Sequence, residues 1–180
     1  MAQTARETQV YHRAIIARRV PISVLDVGSN ISEVIRARIS GEIEGRCIVE
    51  GFVRPGSASV ESYSAGLLEG QSVVYEVAVG CDVCTPVEGE RMECVARNVT
   101  KAGIRAEIDI DPSPVTIFLA RDHHHRSKAF SGIAANDKLT VSVIGQRFEL
   151  NDPYVSVIAA LVEPDTSSAR PRIAIGEEVG

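Results

Sequence analysis

A chain of 180 residues, 44% apolar and 24% charged, carries enough apolar material to bury a sizeable core, as one full domain or two small ones. Its net charge of -5 excludes a protein that coats nucleic acid by charge alone, because that behaviour needs a basic surface. The stretch MAQTARETQVYHRAII lacks the apolar run of a signal peptide, and no segment approaches the ~20 apolar residues of a membrane helix, so an intracellular protein with reduced cysteines and no membrane partner is expected.

Tyr11 to Val27 is rich in β-branched residues and reads as one or two strands, with Pro21 marking an edge or a break. Asn30-Ile-Ser-Glu33 has capping-box spacing and predicts a helix start. Ile31, Val34, Ile35, Arg38 and Ile39 then form a stripe at helical spacing, and Gly41 and Gly45 offer the stop. From Gly45 short β-type runs, Cys47 to Val49, Ser59 to Ser64 and Ser72 to Val83, alternate with glycine turns at Gly51, Gly56, Gly66 and Gly70. Arg54-Pro55-Gly56 predicts an exposed turn, since Pro fixes φ and Gly supplies the positive-φ position.

Cys81-Asp-Val-Cys84 has the spacing of half a zinc site. A structural site needs two such pairs, or a Cys pair with a spaced His pair, and Cys47 and Cys94 stand alone. In a regular strand Cys81 and Cys84 would also point to opposite faces. No metal is expected, and the cysteines read as small half-buried residues at a strand end.

Thr85 to Gly89 is the connector into a second half with five strand-like segments: Arg91 to Asn98, Gly103 to Ile110, Val115 to Arg121, Lys138 to Gly145 and Tyr154 to Val162. Five short strands with a longer connection after the third is the pattern of an OB barrel. Met92, Cys94 and Ala96 alternate with Arg91, Glu93 and Arg97, as Ile104, Ala106, Ile108 and Ile110 do with Arg105, Glu107 and Asp109. The third segment, VTIFLA, is apolar on both faces, which leaves Phe118 either core or surface. Charge divides at the same seam: residues 41–90 hold two basic and nine acidic side chains, residues 91–128 seven basic and five acidic. From Glu163 the chain is rich in Ser, Pro and charge and reads as a mobile tail.

The order EIEGRCIVEGFVRPGS, VVYEVAVGCDVCTPVEGERM, NVTKAGIRAEI and KLTVSVIGQRFEL resembles the larger stalk subunit of DNA-directed RNA polymerase, a family with archaeal members and eukaryotic nuclear counterparts. VTKAGIRAEI, a histidine cluster and VIGQRFELND are most similar to versions encoded by large DNA viruses. The resemblance covers about residues 10–163 and rests on the order of parts. It implies an α+β chain: a truncated ribonucleoprotein-like tip domain over residues 1–86, a five-stranded OB barrel over 87–163 and a flexible tail over 164–180. It implies docking on the polymerase core, pairing with a smaller stalk subunit, contact with single-stranded nascent RNA, and a place in the host nucleus, cytoplasm or virion. No cofactor is implied.

By that resemblance Gly45, Arg46, Phe52, Arg54, Pro55 and Gly56 face the polymerase core. A glycine-rich edge carrying an exposed Phe52 and Arg54 suits a docking knob, against the plainer reading of a solvent hairpin. The barrel contact with RNA falls to Arg97, Lys101, Arg105, Arg121, Arg126 and Lys128, to Phe118 as the lone aromatic of the first three barrel strands, and to His123 with its neighbours. Such a set predicts weak, salt-sensitive, sequence-tolerant binding, which tethering would raise. Catalysis finds no support: the chain has no Gly-x-Ser-x-Gly elbow, P-loop or His-Glu-x-x-His, and Asp109-Ile-Asp111 reads as a solvated turn. A free-standing OB-fold RNA-binding factor in translation or RNA decay is the alternative, because a barrel alone does not name its partner.

Overall fold

The computed structural model describes residues 10–124 and 127–162, and the tail expected from Glu163 lies outside them. Its elements in chain order are β1 (His12–Ser23), α1 (Ile31–Ile43), β2 (Cys47–Ile48), β3 (Gly51–Val53), β4 (Ser59–Tyr63), β5 (Leu67–Glu69), β6 (Ser72–Cys84), β7 (Arg91–Val99), β8 (Gly103–Glu107), β9 (Val115–Ala120), α2 (Lys128–Ser131), β10 (Lys138–Arg147) and β11 (Val155–Leu161). Short 3-10 turns at Val24–Asp26 and Arg121–His124 complete the set. The chain is mostly β, and α1 is the one helix of more than four residues among the described residues.

Strand β6 organises the N-terminal sheet. Along one side it pairs antiparallel with β1 from Val83 opposite His12 to Ser72 opposite Ser23. Along the other it pairs in succession with β3, β4 and β5, and β2 lies beyond β3. Pro21 sits within β1 without breaking it, because an edge strand tolerates the missing donor.

Helix α1 covers one face of this sheet. Ile35, Ile39 and Ile43 recur at helical spacing and bury against Ile16, Val20, Val77 and Val79. Arg38, at the stripe's edge, stays exposed and pairs with Glu42 at 2.7 Å. The Asn30 side chain makes no cap bond, so the capping box does not form. The helix starts instead on the Asn30 carbonyl, which accepts from Glu33 N at 3.0 Å and Val34 N at 3.2 Å. Gly41 does not stop it, and the chain turns at Gly45 with φ +71°.

The second half closes a five-stranded, OB-like barrel in the order β10-β11-β9-β8-β7, sealed by the β7–β10 pair. Its one parallel pair is β9 with β11. Alternation sends Ala96, Ile104, Ala106, Ile117, Leu119, Val141 and Val157 into a common core. Strand β9, ambiguous in sequence, turns Val115, Ile117 and Leu119 inward and Phe118 outward.

Sheet and barrel share a core at their seam. Tyr11, Cys47, Phe52 and Cys84 belong to the same apolar cluster as the barrel interior. Backbone bonds reinforce it: Cys47 N donates to Asp152 O, and Asn151 N to Cys47 O, each at 2.8 Å. Gly51, at φ +131°, permits the approach, since a side chain there would run into Thr85 and the Cys84 carbonyl. The expectation of an exposed Phe52 is therefore corrected. The residue is 1% exposed, because its place between Cys47 and Cys84 in the sheet register turns it into the seam.

Candidate nucleic-acid interface

Four side chains line up across the outer wall of the barrel. Asn98 of β7 stands opposite Arg105 of β8, Arg105 opposite Phe118 of β9, and Phe118 opposite Ile158 of β11. All four are exposed, Phe118 at 39%. A bulge between Ala96 and Asn98 inserts Arg97 as the extra residue and keeps it on the outer wall beside this row. The row thus offers one aromatic face, an apolar floor and a guanidinium in adjacent registers. Ile158 was legible in sequence, since Val155, Val157 and Ala159 alternate with it; Asn98 was masked by the bulge.

Lys101 projects from the β7–β8 turn. Thr100 braces that turn: its hydroxyl donates to Gly103 O at 2.9 Å and accepts from Gly103 N at 3.2 Å. Arg121 closes the same edge, donating to Thr100 O at 3.3 Å while its guanidinium lies 5.8 Å from the Phe130 ring centre. Val99, Thr100, Lys101 and Arg121 together line a shallow depression at the end of the row.

The histidine cluster splits. His123 is exposed, but His124 is buried and structural: its Nδ1 bonds Ala120 O at 2.7 Å, Leu161 N donates to its Nε2 at 2.8 Å, and its ring stacks on Phe130 at 4.5 Å. Nδ1 therefore carries the proton. Arg126 and His125 lie outside the described residues, and Lys128 opens α2.

Glu107 sits between the cations. Its Oε2 lies 3.6 Å from Arg97 Nε and its Oε1 3.3 Å from Arg105. One carboxylate thus spans two arginines from neighbouring strands.

The segment expected to dock is placed less openly than its turn signal suggested. Gly45 N donates to Val53 O and Val53 N to Arg46 O, which ties Gly45 and Arg46 to β3. Arg54 lies 3.8 Å from Asp82 and 5.6 Å from the Tyr11 ring centre. Pro55 and Gly56 are exposed on their turn. The opposite end of the sheet is the more apolar: Leu25 is 94% exposed beside an exposed Val24, whose N donates to Gln71 O, and Leu67 and Leu68 are exposed on β5, which pairs with the same end of β6. Sequence reasoning missed this end, because Leu67 and Leu68 carry no period of their own.

No cluster of three His, Cys, Asp or Glu able to hold a metal occurs among the described residues. Cys81 faces the helix-covered core and Cys84 the seam, on opposite sides of β6. Burial pushes the Cys94 thiol up to about 12. Burial, then Glu90 and Cys47, does the same for Cys84. No helix among the described residues is long and apolar enough to cross a membrane.

The fold and this wall define a mostly β protein with an OB-like barrel and a mixed cationic, aromatic and apolar face. No protein-family model matches the chain.

Proposed function

We propose that the barrel binds single-stranded RNA across the row Asn98, Arg105, Phe118 and Ile158, and that the chain serves as a non-catalytic stalk subunit of a DNA-directed RNA polymerase, of the kind encoded by large DNA viruses. The observation that carries the RNA reading is Phe118 exposed in register between Arg105 and Ile158. Ring-on-base stacking contributes about 1–3 kcal/mol per base and tolerates any base, while Arg105, Arg97 and Lys101 meet phosphates without reading sequence. A contact of that size needs tethering, which a polymerase supplies as effective concentration.

The polymerase reading rests on the order of sequence blocks and is supported by the shared core of sheet and barrel, which joins the two halves into one element. A free-standing factor in translation or decay does not require that union. Docking on the core subunits is assigned to the apolar end of the sheet at Leu25, Leu67 and Leu68. A smaller stalk subunit is the further expected partner. The test is co-purification of large polymerase subunits with the tagged chain, and with a Leu25→Asp/Leu68→Asp variant. Recovery with the parent and loss with the variant is the expected result. Recovery with both removes the assigned surface, and with neither the polymerase reading.

A further inference from the structure

Glu107 is out of place on an RNA-binding wall. It occupies the row next to Arg105 and Phe118, opposite Val95 and Thr116, and points no charge at RNA that would help binding. Its carboxylate instead reaches both arginines that the proposed site needs, through separate oxygens. Two guanidiniums on a two-oxygen anion is the arrangement they would make with a phosphodiester.

We propose that Glu107 is a resident competitor for RNA phosphate, holding Arg97 and Arg105 around the position a backbone phosphate takes when RNA binds. The inference rests on the RNA reading of this wall. An incoming phosphate has to displace the carboxylate, so each encounter exchanges one anion for another and gains little net charge attraction. The exposed setting makes the exchange easy, since ion pairs with about half of each arginine in solvent are weak. The consequence is a permissive face: RNA passes over it with fast release, and the carboxylate lowers the share of the affinity that charge supplies beside aromatic stacking.

The experiment is fluorescence anisotropy of the full chain with a labelled single-stranded oligouridine at two salt concentrations, comparing Glu107→Gln, Glu93→Gln and the triple variant Arg97→Glu/Lys101→Glu/Arg105→Glu. Glu93 lies on β7, exposed, and holds no arginine among the described residues, so its change removes the same charge without releasing a cation. Glu107→Gln is expected to bind about five-fold tighter, the scale of two exposed ion pairs released. Its salt slope should steepen by about 0.7 to 1.4 as one or two more phosphates are neutralised. Glu93→Gln should stay within about two-fold, a screened long-range effect. Unchanged or weaker binding by Glu107→Gln, or an equal gain from Glu93→Gln, overturns the competitor role. If the triple variant loses binding while Glu107→Gln behaves as the parent, that role alone falls. If the parent and every variant fail to bind, the RNA reading falls with it.

Discussion

The arginines of the sheet and those of the barrel sit in similar positions, on outward faces of antiparallel strands, yet are treated differently. On β1, Arg13 reaches Glu61 at 3.0 Å, Asp82 at 3.4 Å and Ser59 Oγ at 2.6 Å, its guanidinium lying close over Gly80. Ser59 and then Arg13 hold the Glu61 carboxyl below its usual range. Arg18 and Arg19 each have their own carboxylate, Glu50 and Glu69. In the barrel Arg97 and Arg105 share Glu107, and Lys101 pairs with no acid among the described residues. The sheet therefore consumes its cations internally, whereas the barrel wall leaves more than one carboxylate can neutralise. The acidic excess before the seam and the basic excess after it have this structural expression.

The contrast breaks first if the two halves are not one unit. Phe52→Ala removes a fully buried ring from the core they share, and should cost about 3–5 kcal/mol by large-to-small truncation. Thermal unfolding followed by circular dichroism should show a single transition at lower temperature. Two separated transitions, or an unshifted one, would place the seam outside the cooperative core.

Charge reversal sharpens the contrast at the next level. The triple change Arg97→Glu/Lys101→Glu/Arg105→Glu should weaken RNA binding by more than about ten-fold at low salt, since each cation lost removes a phosphate contact and adds repulsion. Arg13→Glu/Arg19→Glu alters as exposed a surface but one already neutralised, and should leave RNA affinity within about two-fold. Equal losses from both variants would show that net charge, not the barrel wall, governs binding.

How much of this was legible in the sequence differs by element. The barrel strands announce themselves because each alternates, and Met92, Cys94 and Ala96 all turn inward as their spacing predicts. Strands β3 and β5 have three residues each and no usable period; they exist because long β6 templates them. Phe52 was misplaced because the Pro55-Gly56 turn signal is local, whereas its burial depends on register with Cys47 and Cys84, far apart in sequence. Glu107 was legible as a neighbour of Arg105 on one face, but not as a bridge to Arg97, since a bulge in another strand decides where that arginine stands. Position on a strand could be read; the company a side chain keeps across strands could not.

A smaller effect tests the aromatic share of the wall. Phe118→Ala should cost about 1 kcal/mol of RNA binding, roughly five-fold, with little change in salt slope, because it removes stacking and no charge. Phe118→Tyr should retain affinity. The opposite pattern, a flattened slope with preserved affinity, would mean that the ring only supports Arg105 across the register.

The smallest effect at neutral pH distinguishes the halves by their thiols. Cys84 and Cys47 lie at the seam and Cys94 in the barrel; burial, with Asp152 beside Cys47, raises Cys47 to about 11, and Cys84 and Cys94 rise to about 12 from an ordinary 9.0. A folded-state pKa above the unfolded one means that the native protein binds the thiol proton more tightly. Stability from this source is then fully present below about pH 9 and is lost as pH climbs towards 12. Chemical denaturation at stepped alkaline pH should show that decline, and Cys84→Ala/Cys94→Ala should flatten it relative to the parent, whatever the lysines and tyrosines contribute to both. A thiol reagent at pH 8 should leave the native cysteines unmodified and label all four once the chain is unfolded, since burial withholds both access and the thiolate. Identical alkaline declines in parent and variant would show that the thiols do not set the limit. Rapid labelling of Cys84 alone would show that the seam opens where the barrel does not.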